Sequence, residues 1–481
     1  MDRAAPGKLP AAALFLRKGC AIITIMKIRT IISVAACKMS RMILRRLGKG
    51  GTNVPGRVAL KLYPGLLGVL AKDVTTIIVT GTNGKTTTSR MIEKSLADSG
   101  IRYFANKSGA NMLPGITAEF AMNSSLGGKN KYDVALVECD EAAFKMVSRY
   151  VDAKCIVVTN VFRDQLDRYG EVTHTLNSIL TGIKNSPNAT VCINADDSLS
   201  VSMKEQIPNK VVFYGVESEI YKNRVHEMSD APYCIHCKTE YVYDYVTYGH
   251  LGGFRCPKCG YHRPETQVAV EKVLESTADS STIEIRLNGN HYPATINLPG
   301  GYNIYNAIAT VAAGQVMGLK DEVVIQALNS FECGFGRMEK FTIENTDIRM
   351  ILIKNPAGCN QVLNFLSNTS TPSLFVVALN DRYADGTDIS WIWDVDFEQL
   401  TSILDKLTGI WVTGRRADEM AMRFKYAGIP LEKIRVIKDY DQLIEQMVLQ
   451  NAPVYIMPTY TAMLDIREKI SKKFGFKEFW E

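Results

Sequence analysis

The chain has 481 residues, 46% of them hydrophobic and 22% charged, a composition that excludes a disordered or fibrous class and fits a globular protein of two or three domains. Its net charge of +6 is uneven: residues 1–73 carry fourteen Lys or Arg against Asp2 and Asp73, so the other 408 residues sum to about −6. The basic character belongs to the leading end.

At that end Gly19–Met26 and Thr30–Cys37 are apolar runs of eight residues between basic side chains, too short to cross a bilayer. The stretch up to Met26 has the flavour of a secretory signal, but a thiol cluster beside a nucleotide motif belongs in a reducing interior. Translation is therefore expected to begin at Met26, with residues 1–25 a non-native or disordered extension and a cytoplasmic protein behind it. Over 26–73, Ile28, Ile31, Ile32, Ala35, Met39, Met42 and Ile43 recur at helical spacing, with Arg29, Lys38, Arg41, Arg45 and Arg46 largely elsewhere. Such a basic amphipathic helix either lies on anionic lipid or packs on its own protein. Periodicity does not separate the two, and packing is the leading reading.

The apolar run from Val74 to Val79 leads into Gly81-Thr82-Asn83-Gly84-Lys85-Thr86-Thr87 and a helical stretch over 89–96. Strand, glycine loop and helix in this order form a nucleotide phosphate cradle: glycines let backbone N–H groups approach phosphate, Lys85 reaches the terminal phosphates, and Thr86 can hold Mg²⁺. Only two residues separate the glycines, fewer than in the common form of this loop. Short apolar runs at 134–137, 155–158, 190–193 and 210–214 then alternate with polar-apolar stretches, predicting an α/β domain with a mainly parallel sheet. Asn288-Gly289 between 282–287 and 291–298 predicts a hairpin, and a helix over 303–317 follows.

Cys234, Cys237, Cys256 and Cys259 have C-x2-C-x18-C-x2-C spacing, which suits a structural zinc ribbon over about 228–266 whose metal replaces a core too small to fold alone. Disulfides or redox pairs are disfavoured in a reducing compartment. Between the thiol pairs the only Lys or Arg are Lys238 and Arg255, which argues against a nucleic-acid-binding ribbon. A second α/β pattern follows, with strands at 350–353, 374–379, 409–412, 434–437 and 454–456 and helices near 359–367, 397–406, 416–427 and 440–450. The expected domains are 74–340 and 341–481.

The cradle, Glu138 after a strand, Asn194-Ala-Asp196-Asp197, Asn303 and Asn306 in GYNIYNA, and Gly336-Arg337-Met-Glu339 together resemble the Mur ligase family of ATP-dependent peptide-bond-forming enzymes. The resemblance implies a central P-loop ATPase domain, here carrying the four-cysteine zinc-ribbon insert, followed by a C-terminal α/β domain. By the same resemblance Glu138 and Thr86 coordinate Mg²⁺ at the ATP phosphates, Asn194, Asp197, Asn303 and Asn306 line the adenosine pocket, and Arg337 sits at the domain junction. The stretch from Thr159 to Gly170, with Gln165 where such ligases usually carry histidine, Lys354-Asn355-Pro356-Ala357-Gly358, and Tyr383 to Trp391 resemble the branch that amidates lipid II. This branch implies an ATP-dependent carbon–nitrogen ligase converting the α-carboxylate of D-glutamate in the stem peptide to D-isoglutamine, with glutamine as nitrogen donor, in peptidoglycan synthesis.

No G-x-C-x-G nucleophile turn is present, since Cys359 lies in Ala-Gly-Cys-Asn. A glutaminase partner is therefore implied, by resemblance a GatD-type glutamine amidotransferase. Asp388 is then the residue orienting the partner's catalytic histidine, with Asp385 and Asp394 as alternatives and an Asx turn as its plain role. Competing readings are a folylpolyglutamate synthase-like amino-acid ligase and a non-catalytic zinc-stapled scaffold.

Overall fold

The computed structural model describes residues 11–47, 53–106, 110–163, 172–220, 230–277, 280–298, 300–332, 337–367 and 371–476, with the side chains of 11–25 and 337–338 outside that description. Two sheets organise the chain. The first runs β11-β10-β9-β6-β5-β4-β1-β3-β2, where β1 is Thr75–Thr80, β2 Tyr103–Ala105, β3 Val134–Glu138, β4 Ala153–Val158, β5 Thr190–Asn194 and β6 Val211–Val216. A separate two-stranded ribbon, β7 (Val242–Tyr248) and β8 (Leu251–Arg255), precedes β9 (Val268–Ser276), β10 (Ser281–Leu287) and β11 (Asn290–Ile296). From β2 to β9 every neighbouring pair is parallel. A parallel sheet is covered on both faces, which is why β3 is buried at every position and β1 at all but the first.

The expected hairpin is present at the edge of this sheet: β10 and β11 pair antiparallel through Asn288 and Gly289, with φ of +54° and +79°, the left-handed pair a type I′ turn requires. β10 alternates buried and half-buried residues as a strand with one covered face does.

The second sheet runs β12-β13-β17-β14-β15-β16, with β12 at Arg337–Ile343, β13 at Thr346–Ile351, β14 at Ser373–Ala378, β15 at Leu407–Thr413, β16 at Ile434–Val436 and β17 at Val454–Pro458. All neighbours are parallel except β12 and β13. The strand-like reading at 350–353 is a correction in part: β13 starts four residues earlier and forms a hairpin with β12. The helix expected near 397–406 is a 3₁₀ helix, Phe397–Ile403. Its buried residues Phe397, Leu400 and Ile403 recur every three positions, the 3₁₀ period.

At the leading end α1 spans Ala11–Arg46 and packs on α2, Asn53–Leu62. The helix therefore begins inside the segment read as an extension. It rests on the body through buried Thr30, Ser33, Val34 and Cys37, with Lys38 Nζ donating to Ser124 O at 2.6 Å and Arg41 paired with Glu119 at 3.0 Å. This reverses the expectation of packing through the apolar stripe: Ile28, Ile31, Ile32, Met39, Met42 and Ile43 face outward. No helix among the described residues is long and apolar enough to cross a membrane.

Candidate active site

After β1 the chain turns through Gly81-Thr82-Asn83-Gly84 into the helix Lys85–Asp98. Gly81 and Gly84 have φ of +116° and +85°, and a Cβ there would lie 2.4 Å from Thr159 Oγ1 or 2.1 Å from Asn306 Oδ1. Only glycine fits both the backbone and the space. The helix start has no side-chain cap hydrogen bond, and its N-terminus has the polarity that favours an anion. The loop is braced by the segment after β4: Thr82 N and Asn83 N donate to Asn160 O and Oδ1 at 2.9 Å each, and Phe162 N donates to Thr82 Oγ1 at 3.1 Å. Thr87 is buried beneath it. Replacing Gly84 by alanine is expected to lower stability by about 1–3 kcal/mol, as urea unfolding would record; an unchanged midpoint would show that the loop tolerates a Cβ.

Lys85 folds back over the loop, its Nζ donating to Glu141 Oε1 at 2.7 Å, Gly81 O at 2.5 Å and Thr82 O at 3.2 Å. Both side chains of the pair are buried, so the Glu141 carboxylate neutralises an ammonium that would otherwise be costly inside the protein. Thr86 Oγ1 lies 3.0 Å from Glu138 Oε1. That separation matches adjacent corners of an Mg²⁺ octahedron, about 2.9 Å for metal–oxygen distances near 2.1 Å. Asn106 fixes the Glu138 backbone from both sides, accepting from its N–H and donating to its carbonyl at 2.8 Å each. On the other flank, Thr88 Oγ1 donates to Asn306 Oδ1 at 3.3 Å, and Asn306 Nδ2 donates to Asn303 Oδ1 at 2.9 Å.

Asn194 and Asp197 lie at the end of β5 and are wholly buried. Asn194 Oδ1 accepts from Asp196 N and its Nδ2 donates to Thr159 O. Asp197 caps the short helix Ser198–Ser202 and accepts from Leu199 N at 3.0 Å, Val161 N at 2.8 Å and the Ser200 hydroxyl at 2.5 Å, with His250 Nε2 at 3.2 Å. These two residues are thus held by buried bonds within the turn after β5, whereas Asn306 meets Gly84 and Thr88 of the cradle and Asn303 supports Asn306. Buried Asp196 accepts from Arg263 Nε, Tyr305 OH and Val216 N within 2.8 Å; loss of water pushes its carboxyl above the usual range despite Arg263.

The four cysteines converge, with Cys234 and Cys259 sulfurs 3.5 Å apart and those of Cys237 and Cys256 3.4 Å apart. Each pair closes an equivalent turn: Lys238 N donates to Cys234 O and Gly260 N to Cys256 O, and both residues have positive φ. A tetrahedral Zn²⁺ with bonds of about 2.3 Å sets its sulfurs about 3.8 Å apart, so the donor set fits that ion. The hydroxyl and backbone N–H of Thr239 draw the Cys237 thiol down to about 6. For Cys259 the Tyr261 N–H pulls downward, but lost water and the adjoining thiols push it up to about 12. Four neighbouring thiolates need a cation among them.

The second half of the chain bonds to the cradle through Asn355 and to the segment that braces it through Asp394. Asn355 Nδ2 donates to Asn83 Oδ1 at 3.0 Å while Asn355 Oδ1 accepts from Gly358 N, and Arg163 pairs with Asp394 at 2.8 Å. Of the three aspartates considered, Asp385 is buried, accepting from Thr461 N, the Thr461 hydroxyl and Arg382 N, and Asp394 is committed to Arg163. Asp388 is half-buried at the surface, and its Oδ1 accepts from Ser390 N at 2.8 Å in an Asx turn. The side chain of Arg337, and the whole of Asp164 to Gly170, including Gln165, lie outside the described residues. Glu141, Asn106 and His250 join the site without having been singled out from sequence, whereas Asn160 and Asn355 stand in stretches that carry the resemblance but have no role of their own there.

Residues 79–314 match the Mur ligase middle domain and residues 352–463 the MurT ligase C-terminal domain. The lipid II isoglutaminyl synthase (glutamine-hydrolyzing) subunit MurT of Streptococcus pneumoniae is 37% identical over 93% of this chain and 98% of its own. The chain belongs to the MurT family of Mur ligases. The MurT subunit of Staphylococcus aureus strain COL is 33% identical over 92% of this chain and 98% of its own. Among solved structures, a pseudomurein peptide ligase type C from Methanothermus fervidus superposes with a TM-score of 0.63 at 21% identity, covering 83% of this chain and 79% of that one, a likeness of fold. MurT membership accounts for the α/β architecture of a Mur ligase.

Proposed function

We infer that this chain is the ATP-dependent synthetase subunit that amidates the α-carboxylate of D-glutamate in the lipid II stem peptide, giving D-isoglutamine during peptidoglycan synthesis. The observation that carries this reading is the full-length likeness to MurT subunits of lipid II isoglutaminyl synthase; the cradle of Lys85, Thr86 and Glu138 supports it. A carboxylate is inert to ammonia, so one of its oxygens attacks the γ-phosphorus of ATP, ADP leaves, and an acyl phosphate forms. Ammonia then attacks the acyl carbon, inorganic phosphate leaves with the bridging oxygen, and a proton is lost.

Lys85, released from Glu141, meets the charge that develops on the transferred phosphoryl group, and the uncapped helix start binds the phosphates. Thr86 and Glu138 hold Mg²⁺, which when bound supplies further neutralising charge. Asn303 and Asn306 face the nucleotide, Asn194 and Asp197 shape its wall, and Arg337 serves the domain junction. Cys234, Cys237, Cys256 and Cys259 hold structural Zn²⁺. The nitrogen comes from a GatD-type glutaminase bound to this subunit, and the lipid-linked substrate places the reaction at the inner face of the membrane.

Incubating a lipid II analogue with the chain, ATP, Mg²⁺ and either ammonium or glutamine plus partner should give the mass change of a hydroxyl exchanged for an amino group. Ligation of a free amino acid in place of ammonia would instead favour the folylpolyglutamate synthase-like reading. Asp388 is the proposed partner-facing carboxylate, because its two neighbours are committed elsewhere. Asp388→Asn is expected to lower glutamine-dependent amidation by about 10⁴-fold, the loss seen when a triad aspartate becomes asparagine, while ammonium-dependent amidation persists. Equal loss of both would remove Asp388 from the glutaminase step.

A further inference from the structure

Helix α1 is amphipathic the wrong way round for a helix that only packs on its own protein. At about 100° per residue, Ile28, Ile31, Ile32, Met39, Met42 and Ile43 fall within an arc of about 120° opposite Thr30, Val34 and Cys37. Each of the six is 43–54% exposed. Lys38, Arg41 and Arg45 along one flank of this stripe, with Arg46 at the end of the stripe's own line, border an open cleft of about 620 Å³ together with Met42 and Glu119. Glu119 is paired with Arg41, and residues 26–72 contain ten Lys or Arg and no Asp or Glu. Neighbouring α2 adds exposed Val54, Val58 and Leu62 at a spacing of four.

We propose that the outward face of α1 docks this protein on an anionic lipid surface, with the apolar stripe entering the acyl boundary and the basic cleft receiving a lipid phosphate. The occupant follows from charge complementarity. Apolar side chains at the centre and a rim of cations with almost no acid of their own match a sheet of negative headgroups over hydrocarbon. The short apolar runs cannot span, so the contact is peripheral. The inference deepens the proposed function, on whose lipid-linked substrate it rests for its use: a subunit held at the headgroup plane meets a substrate that diffuses in two dimensions.

The test is flotation of the full chain, alone and with its glutaminase partner, on vesicles of phosphatidylcholine with and without phosphatidylglycerol. Binding is expected to be about tenfold or more stronger with phosphatidylglycerol and to fall with added salt. Ile32→Asp/Met39→Asp should abolish it, and Arg45→Glu/Arg46→Glu should remove the preference for anionic lipid. All four positions are exposed or flank the cleft, away from the cradle, so nucleotide binding reports that each variant is folded. Amidation of a soluble stem-peptide substrate reads the proposed function separately and should be unchanged in both variants. Three results overturn the inference: no vesicle binding by a chain that amidates the soluble substrate, vesicle binding lost once the partner is bound, or a stripe whose mutation dissolves self-association and leaves vesicle binding intact.

Discussion

Replacing Lys85 by alanine is expected to lower amidation by about 10²–10³-fold, the loss typical when one preorganised charge or donor is removed from a transition state that accumulates negative charge. Structure complicates the experiment in a way that can be controlled. Lys85 and Glu141 form a buried ion pair at 2.7 Å, and removing one member of such a pair costs about 3–5 kcal/mol because the other charge is stranded. Lys85→Ala alone therefore loses activity and stability together. The double variant Lys85→Ala/Glu141→Gln removes both charges, and its thermal midpoint should return most of the way to that of the parent. Its amidation rate should stay low, since Glu141→Gln restores nothing at the phosphates. Thermal unfolding and ADP release measured on the same preparations separate the two effects. A stable double variant working within tenfold of the parent would falsify the assignment of Lys85 to the transferred phosphoryl group.

The pair also shows what sequence patterns carry and what they do not. Glycine spacing before a lysine and a hydroxyl reads as a phosphate loop because the chemistry is local: backbone φ, helix start and side chain all fall within eight residues. Glu141 belongs to the same site but lies 56 residues away at the start of the helix Glu141–Val147, and although Glu138 stands three residues before it, nothing in that string says that it turns back to Lys85. Asn355 is a similar case. It stands in a conspicuous Asn-Pro-Ala-Gly string, yet its contact with Asn83 depends on how two sheets are placed, which no periodicity encodes. The parallel strands were legible because burial on both faces makes them continuous apolar runs, and the Asn-Gly hairpin because its turn demands left-handed residues. β12 was not, since the Arg337-Met338-Glu339-Lys340 string at its start breaks the apolar run that marks a strand. For α1 the helical period was readable, but the side chosen for packing was not: the body takes Thr30, Ser33, Val34 and Cys37, small or modestly apolar residues, and leaves the larger ones outside.

Withdrawing the zinc we propose for the four cysteines is expected to loosen the nucleotide site as well as the ribbon. Among the described residues the ribbon's own cluster is Cys234, Tyr241, Phe254 and Cys256, packed on Val201 of the body with a few partly buried aromatics, far too little for independent folding, whereas structural zinc supplies about 10–16 kcal/mol in comparable small sites. A zinc-selective chelator should therefore unfold this unit. Several of its bonds to the body meet the turn after β5 that we propose as a wall of the nucleotide site: Gly252 N donates to Asp196 O, Arg263 pairs with Asp196, His250 faces Asp197, and Tyr261 OH donates to Ser198 O. A fifth, Thr247 with Tyr305 at 2.7 Å, steadies the helix Tyr302–Met317 that carries Asn303 and Asn306 to the cradle. Losing these together leaves buried Asp196 without its cation, an expensive state relieved by taking up a proton or by opening of the surrounding turn. Affinity for ADP, measured by calorimetry with Mg²⁺ in excess, should fall by about tenfold or more, equivalent to about 1.4 kcal/mol, and recover when Zn²⁺ is returned under reducing conditions. Cys237→Ser should reproduce the loss without chelator. If zinc is released and the near-ultraviolet dichroism of the ribbon tyrosines collapses while ADP binds as before, the ribbon and the nucleotide wall are energetically separate.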